Sequence, residues 1–164
     1  MIELRAITPD DIKEIKDWPP YRGGFEQMNY ALRDNGWLDE FRDRSDTRVY
    51  AVVKNSRVIG FSLLIVTAEG DAEFRVAIHP DRTGKGIGRT ATLATVERGF
   101  RQLDLDRVHL IVRKNNHRAL KLYESVGFVQ TGESVHTIQG KDIPFIDMDM
   151  TSDQFDDLKT GEDA

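Results

Sequence analysis

Between two stretches of regular periodicity the chain sets three glycines at alternate positions, Thr83-Gly84-Lys85-Gly86-Ile87-Gly88-Arg89. Glycine has no Cβ, so such a loop exposes successive backbone N–H groups and takes positive φ without strain. The residues before it, Glu73 to Ile78, alternate as a half-buried strand does. The residues after it, Gly86 to Leu103, place Leu93, Val96, Phe100 and Leu103 at intervals of 3, 4 and 3, with Arg98, Arg101 and Gln102 off that stripe, which is a helical pattern. A strand that feeds a glycine loop into a helix aims unpaired N–H groups and the positive end of the helix dipole at one point. The natural guest there is an anion, phosphate or pyrophosphate above all. The same glycines would also serve a flexible turn that lets elements pack closely, and the loop alone does not separate the two.

Spacing narrows the guest. A nucleotide-binding P-loop needs Gly-Lys followed by Ser or Thr, whereas Lys85 is followed by Gly86. Gly86-Ile87-Gly88-Arg89-Thr90-Ala91 satisfies the dinucleotide pattern in form, but it comes several residues after the strand and late in the chain, with one strand-helix unit after it before a hairpin.

Around the loop the chain reads as one domain. Ile2, Leu4 and Ala6 alternate with polar neighbours, and Thr8-Pro9-Asp10 caps a helix over Asp11–Trp18. Trp18-Pro19-Pro20-Tyr21-Arg22-Gly23-Gly24 breaks it, and Phe25–Arg33 is read as a second helix stopped at Asn35-Gly36. Val49–Val53 and Val58–Val66 form a hairpin turned at Asn55-Ser56. Beyond the glycine loop and its helix come a strand, Val108–Val112, a helix, Asn116–Val126, stopped by Gly127, a strand, Phe128–Glu133, and a closing hairpin through Gln139-Gly140-Lys141. The sum is a mixed sheet with helices on its faces, an α/β or α+β domain. Residues 1–150 make up that domain, and 151–164 are expected to form a flexible acidic tail.

Composition removes several classes of chemistry. With no cysteine there is no disulfide, thiolate nucleophile or cysteine-bound metal, and His79, His109, His117 and His136 lack ligand spacing, so no metal is expected. The net charge of −5 is concentrated at the end: Asp153, Asp156, Asp157, Glu162 and Asp163 against Lys159 give residues 151–164 a charge of −4. The body is nearly neutral, which argues against nucleic acid as a partner. The longest apolar run, Phe61–Val66, is interrupted by Ser62 and far short of the ~20 residues of a membrane span. The start of the chain has no secretion signal, so a cytoplasmic protein without a membrane partner is expected.

The loop resembles the signature Q/R-x-x-G-x-G/A of the GCN5-related N-acetyltransferases. Thr83 stands at the first position, with the arginine one place earlier at Arg82. A second segment, Asn116-His117-Arg118-Ala119-Leu120-Lys121-Leu122-Tyr123-Glu124-Ser125-Val126-Gly127-Phe128, is similar to N-x-x-A-x-x-L-Y-E-x-x-G-F in the same family. Two motifs in order are far more specific than either alone. The resemblance covers residues 48–150 well and 1–47 in outline, and its closing part is similar to the branch of spermidine and ribosomal-protein N-terminal acetyltransferases. It implies a central, mixed, mostly antiparallel six- to seven-stranded sheet with helices on both faces. It also implies acetyl-CoA as co-substrate, a primary amine of a small, polyamine-like molecule or a protein N-terminus as acceptor, and direct attack in a ternary complex. The alternative is a non-catalytic acyl-CoA sensor that keeps the loop without turnover.

The resemblance assigns roles residue by residue. Thr83, Gly84, Lys85, Gly86, Ile87, Gly88 and Arg89 would hold the pyrophosphate, mainly through backbone N–H groups. The backbone of Val76, Ala77 and Ile78 would pair with the pantetheine amides, and Asn116, equally an N-cap, would touch the same arm. Tyr123 would protonate the departing thiolate, although helix spacing alone reads it as core beside Ala119, Leu122 and Val126. An alkyl ammonium near pKa ~10.4 costs roughly 4.6 kcal/mol to deprotonate at pH 7, so a base is expected. Glu73 is the candidate, with Glu69 and Asp71 behind it; its other reading is a salt bridge to Arg75. One branch has a glutamate base where Ile111 stands here, a departure from the ribosomal pattern. Trp18, Tyr21, Tyr30 and Trp37 are either core or cation–π walls of an amine pocket. Asp17, Glu26, Asp39 and Glu40 are either solvated or partners for a second ammonium. The open strand edges of such a sheet suit a homodimer.

Overall fold

The computed structural model describes residues 2–23 and 26–163. Seven strands form one sheet in the order β1-β2-β3-β4-β5-β7-β6: β1 Ile2–Ala6, β2 Thr47–Lys54, β3 Arg57–Ala68, β4 Asp71–Ile78, β5 Arg107–Arg113, β6 Val129–Ile138 and β7 Lys141–Thr151. Every neighbouring pair is antiparallel except β4 and β5. That single parallel pair is what the helical crossover between them dictates, since a hairpin joins only antiparallel strands.

Among the described residues six α-helices cover the sheet: α1 Pro9–Lys16, α2 Asn29–Leu32, α3 Trp37–Phe41, α4 Ile87–Gln102, α5 His117–Val126 and α6 Ser152–Asp163. Strand alternation divides the core in two. Ala51, Phe61, Leu63 and Ala77 face Ile12 and Ile15 of α1 and Leu38 and Phe41 of α3. Leu64, Phe74, Val108, Leu110 and Met148 face Val96 and Phe100 of α4, Val126 of α5 and Phe155 of α6. The first helix starts as its sequence dictates, with Thr8 accepting from the Asp11 amide and the Asp11 carboxylate accepting from the Thr8 amide.

Two segments differ from expectation. The expected helix Phe25–Arg33 begins at Phe25, which with Gly24 lies outside the described residues. From Glu26 the chain makes a 3₁₀ turn, then the four-residue α2, and then α3, which helical periodicity did not signal because it is only five residues long. The expected flexible tail is instead α6. Its anchor is Phe155, 2% exposed and stacked on Phe100 with ring centroids 5.2 Å apart. One buried aromatic ring outweighs the solvated acids around it, because its apolar surface leaves water while theirs need not.

Candidate active site

The sheet is opened at its centre. β4 and β5 pair over three positions, Asp71 with Arg107, Ala72 with Val108 and Glu73 with His109, and then part. On its other side β4 stays paired with β3 as far as Gly60 with Ile78, and the His79 amide donates to the Ile59 carbonyl at 2.8 Å. That bond fixes the register: Ile78, Val76 and Phe74 are the residues whose own N–H and C=O turn away from β3, toward the gap. Ala77 turns its amide and carbonyl to Phe61 and its side chain into the core. Within the expected segment Val76, Ala77 and Ile78, the amides that face the gap are those of Val76 and Ile78, and that of Ala77 faces β3. The Ile78 carbonyl already accepts the Tyr21 hydroxyl, which leaves Val76 as the expected residue with both groups open.

The glycine loop lies at the mouth of this gap. Gly84 (φ +80) and Gly86 (φ +78) hold left-handed conformations, and Gly86 caps α4 with no side chain of its own. The Thr90 amide is the first to close an α4 turn, onto the Gly86 carbonyl, so the amides of Ile87, Gly88 and Arg89 have no partner within the helix. Gly88 lets α5 approach, since a Cβ there would sit 3.2 Å from Leu122 Cδ1. Thr83 spends its hydroxyl on the Pro80 carbonyl at 3.3 Å. Lys85 and Arg89 are exposed beside it. Arg118, in the first turn of α5, lies across Gly84, with Nη2 2.5 Å from where a Cβ would stand. Arg118 falls inside the second motif at a position to which the motif assigns no role, and its place beside the loop comes only from the folded contact between α5 and that loop.

A cavity of about 430 Å³ occupies the gap and reaches both faces of the sheet. On the α5 face it meets Tyr123, Phe74, Asn116 and Ala119; on the α3 face it meets Glu73, Arg75, Trp37, Glu40 and Tyr30. The Tyr123 ring is held edge-on by Phe74 and Phe128, at centroid distances of 6.3 and 5.9 Å. Its hydroxyl has no hydrogen bond among the described residues, and the one sealed, unpartnered side-chain N or O among them is Arg42 Nε. The phenol is therefore open to the cavity, and burial of the ring pushes its pKa up to about 12. Asn116 caps α5 by accepting from the Ala119 amide at 3.2 Å while lining the same space.

Glu73 is at the apex of the gap and accepts from Arg75 Nε at 2.8 Å, so the salt-bridge contact is formed at a carboxylate that also borders the cavity. Beside it His109 lies against Thr67 Oγ1 at 3.0 Å, and burial lowers its pKa. Of the four aromatics, Tyr30 and Trp37 line the cavity, whereas Trp18 packs on Phe61 and His79, and Tyr21 is buried. Of the four acids only Glu40 does; Asp39 is bound to Lys16 at 2.7 Å. Ile111 lines the cavity where a glutamate stands in one branch of the resemblance. The described residues contain no cluster of three His, Cys, Asp or Glu that could hold a metal, and no helix long and apolar enough to cross a membrane.

A sheet parted between its parallel strands, with a glycine loop and unpaired helix amides at the mouth and a phenol inside, leaves an elongated cleft that runs from the loop to the centre of the sheet. The chain belongs to the Acetyltransferase (GNAT) family, whose profile matches residues 11–128. It is 39% identical over 142 residues to the spermidine N(1)-acetyltransferase of Vibrio cholerae, covering 82% of each chain. It is 38% identical over 65 residues to the enzyme of that name in Escherichia coli K12, a match spanning 40% of this chain and 35% of that one. Among solved structures, a chimera of the Vibrio cholerae spermidine N-acetyltransferase SpeG and hSSAT superposes with a TM-score of 0.79 at 27% identity, covering 94% of this chain and 97% of the other.

Proposed function

We propose that the protein is an acetyl-CoA-dependent N-acetyltransferase that acts on a primary amine of a small molecule or a protein N-terminus. The observation that carries this is the gap itself, with the loop amides at one end and the Tyr123 hydroxyl at its centre. In this reading the amides of Ile87, Gly88 and Arg89, with Lys85, Arg89 and Arg118 around them, bind the pyrophosphate. Val76 offers its N–H and C=O to the pantetheine arm as a neighbouring strand would. The thioester then lies between the faces of the sheet, with Tyr123 on one side and the amine entering from α3.

Glu73, whose Oε2 accepts from Arg75 Nε while Oε1 is left to act, takes the proton of the incoming ammonium directly or through a water. The neutral amine forms its bond to the acetyl carbon as the carbon–sulfur bond breaks, Tyr123 gives its proton to the departing sulfur, and the proton that the acylated nitrogen then sheds passes through solvent to restore the phenol. A phenol raised to about 12 holds that proton until negative charge develops beside it. Polyamines are the first acceptors to try, given the relatives' names and Glu40 and Tyr30 at the entrance. The open edge of β6, with Val129 and Val135 exposed, is the place for a second copy in a homodimer. The test is release of free thiol from acetyl-CoA across a panel of polyamines, amino acids, aminoglycosides and peptides. Turnover with at least one amine is expected, and tight CoA binding without thiol release from any of them would overturn the proposal.

A further inference from the structure

The charges on the cavity wall are mixed: Glu40 and Glu73 stand against Arg75 and Arg113. Glu73 and Arg75 neutralise each other at 2.8 Å, and Arg75 is further spread over the faces of Trp37 and Phe41 at 5.4 and 5.0 Å. What remains is one carboxylate, Glu40, and one guanidinium, Arg113. Neither makes an ion pair or hydrogen bond among the described residues.

Arg113 is placed to meet the acceptor. It ends β5, opposite Phe145 of β7, and Phe145 lines the cavity with it. Strand alternation puts Val108, Leu110 and Val112 against the α4 and α5 layer, so Arg113 shares the opposite face with Ile111 and His109. The loop with Lys85, Arg89 and Arg118 lies on the α4 and α5 side. A half-buried guanidinium across the sheet from the pyrophosphate site, with no protein partner, is matched by an anion that arrives with the second substrate. An ammonium is disfavoured beside Arg113 itself, whereas Glu40 across the cavity favours one.

We infer that the acceptor carries an oxyanion, a carboxylate or a phosphate, in addition to its amine, and that Arg113 recognises that group while Glu40 draws in the ammonium. The inference rests on the N-acetyltransferase reading for the amine and stands on the geometry of Arg113 for the anion.

The test compares 5-aminopentanoate and 3-aminopropyl phosphate with pentylamine and spermidine, using the full chain and its Arg113→Gln and Arg113→Lys variants. A charge-assisted contact of this kind corresponds to a preference of about 10- to 100-fold in kcat/KM for an anionic amine over pentylamine. Arg113→Gln is expected to erase it, Arg113→Lys to keep part of it, and the KM for acetyl-CoA to stay unchanged in both. The stronger of the two anionic arms identifies the group. Turnover of spermidine or pentylamine with neither anionic amine preferred would overturn the inference, as would a loss in Arg113→Gln that appears in the KM for acetyl-CoA. Should no amine react, the N-acetyltransferase reading falls, and calorimetric titration of the two anionic amines into the CoA-saturated protein decides the anion site separately. Binding that disappears in Arg113→Gln upholds it, and absence of binding ends it.

Discussion

Replacing Gly86 by alanine isolates the loop's conformation from its packing. Gly86 has φ +78, and a Cβ there would meet nothing within 4 Å, so the methyl group clashes with no protein atom. Its cost is conformational, roughly 1–2 kcal/mol for an L residue in the left-handed region. Residues 81–85 before it are exposed, although Ile87 after it is buried, so the free loop can relax on that side out of the conformation and escape the penalty. Binding the coenzyme forces it back, and the deferred 1–2 kcal/mol appears as a Kd weakened by about 5- to 30-fold. Gly140 provides the control, with the same φ of +78 and the same open space, in a β6–β7 turn where Gln139 is also left-handed at φ +52. A two-residue hairpin turn cannot relax without losing its register. Gly140→Ala should therefore lower the Tm, by about 2–4 °C per kcal/mol for a chain of this size, and leave CoA affinity intact. Calorimetry with CoA and thermal melts of both variants measure the pair. Wild-type CoA affinity in Gly86→Ala would refute the reasoning that the loop binds through this backbone conformation.

Three further predictions concern other parts of the molecule. Tyr123→Phe should lower kcat by about 10²- to 10⁴-fold with the CoA Kd unchanged; with the phenol pushed up to about 12, the wild-type rate should show no basic limb from tyrosine ionisation below about pH 10, and such a limb in the pH profile would contradict the role. Asp11 is held below the ordinary carboxylate range, first by its hydrogen bond from Arg5. Its folded pKa is thus lower than its unfolded value near ~3.9, so the stability it adds is full above that value and is lost as pH falls toward the folded one. Urea midpoints from pH 6 to pH 3 should accordingly fall more steeply in the wild type than in Asp11→Asn, and parallel curves would show that the pair adds nothing. Phe155→Ala should destabilise the domain by about 3–5 kcal/mol, read from denaturant midpoints, because it empties a ring-sized space against Phe100; a change within 0.5 kcal/mol, roughly the scatter of surface substitutions, would return α6 to the status of a loose tail.

What the sequence disclosed was local. The glycine loop, the stripe Leu93-Val96-Phe100 of α4, the Asn116 cap of α5 and the alternation of β4 each depend on neighbours a few residues apart, and all are in the fold where the pattern put them. The parting of β4 from β5 is a matter of pairing between strands some 36 positions apart, as Glu73 with His109 shows, and no periodicity encodes where it stops. The direction of the Val76 and Ala77 amides follows from that register and was equally hidden. Glu73 and Arg75 were foreseeable as partners, since i and i+2 on a strand share a face. Arg113 was not, because the absence of a partner is a property of the whole fold. Phe155 gives no signal in the sequence because it stands in an acidic run as the single side chain among the described residues that marks the buried face of α6.

Amide hydrogen exchange with and without CoA tests the central claim most directly, since it reports each backbone N–H in turn. The amides of Ile87, Gly88, Arg89 and Val76 should slow on binding, while that of Ala77, already bonded to β3, should not change. Protection confined to other segments, with these four amides exchanging as in the free protein, would contradict a coenzyme held by the loop and threaded between β4 and β5.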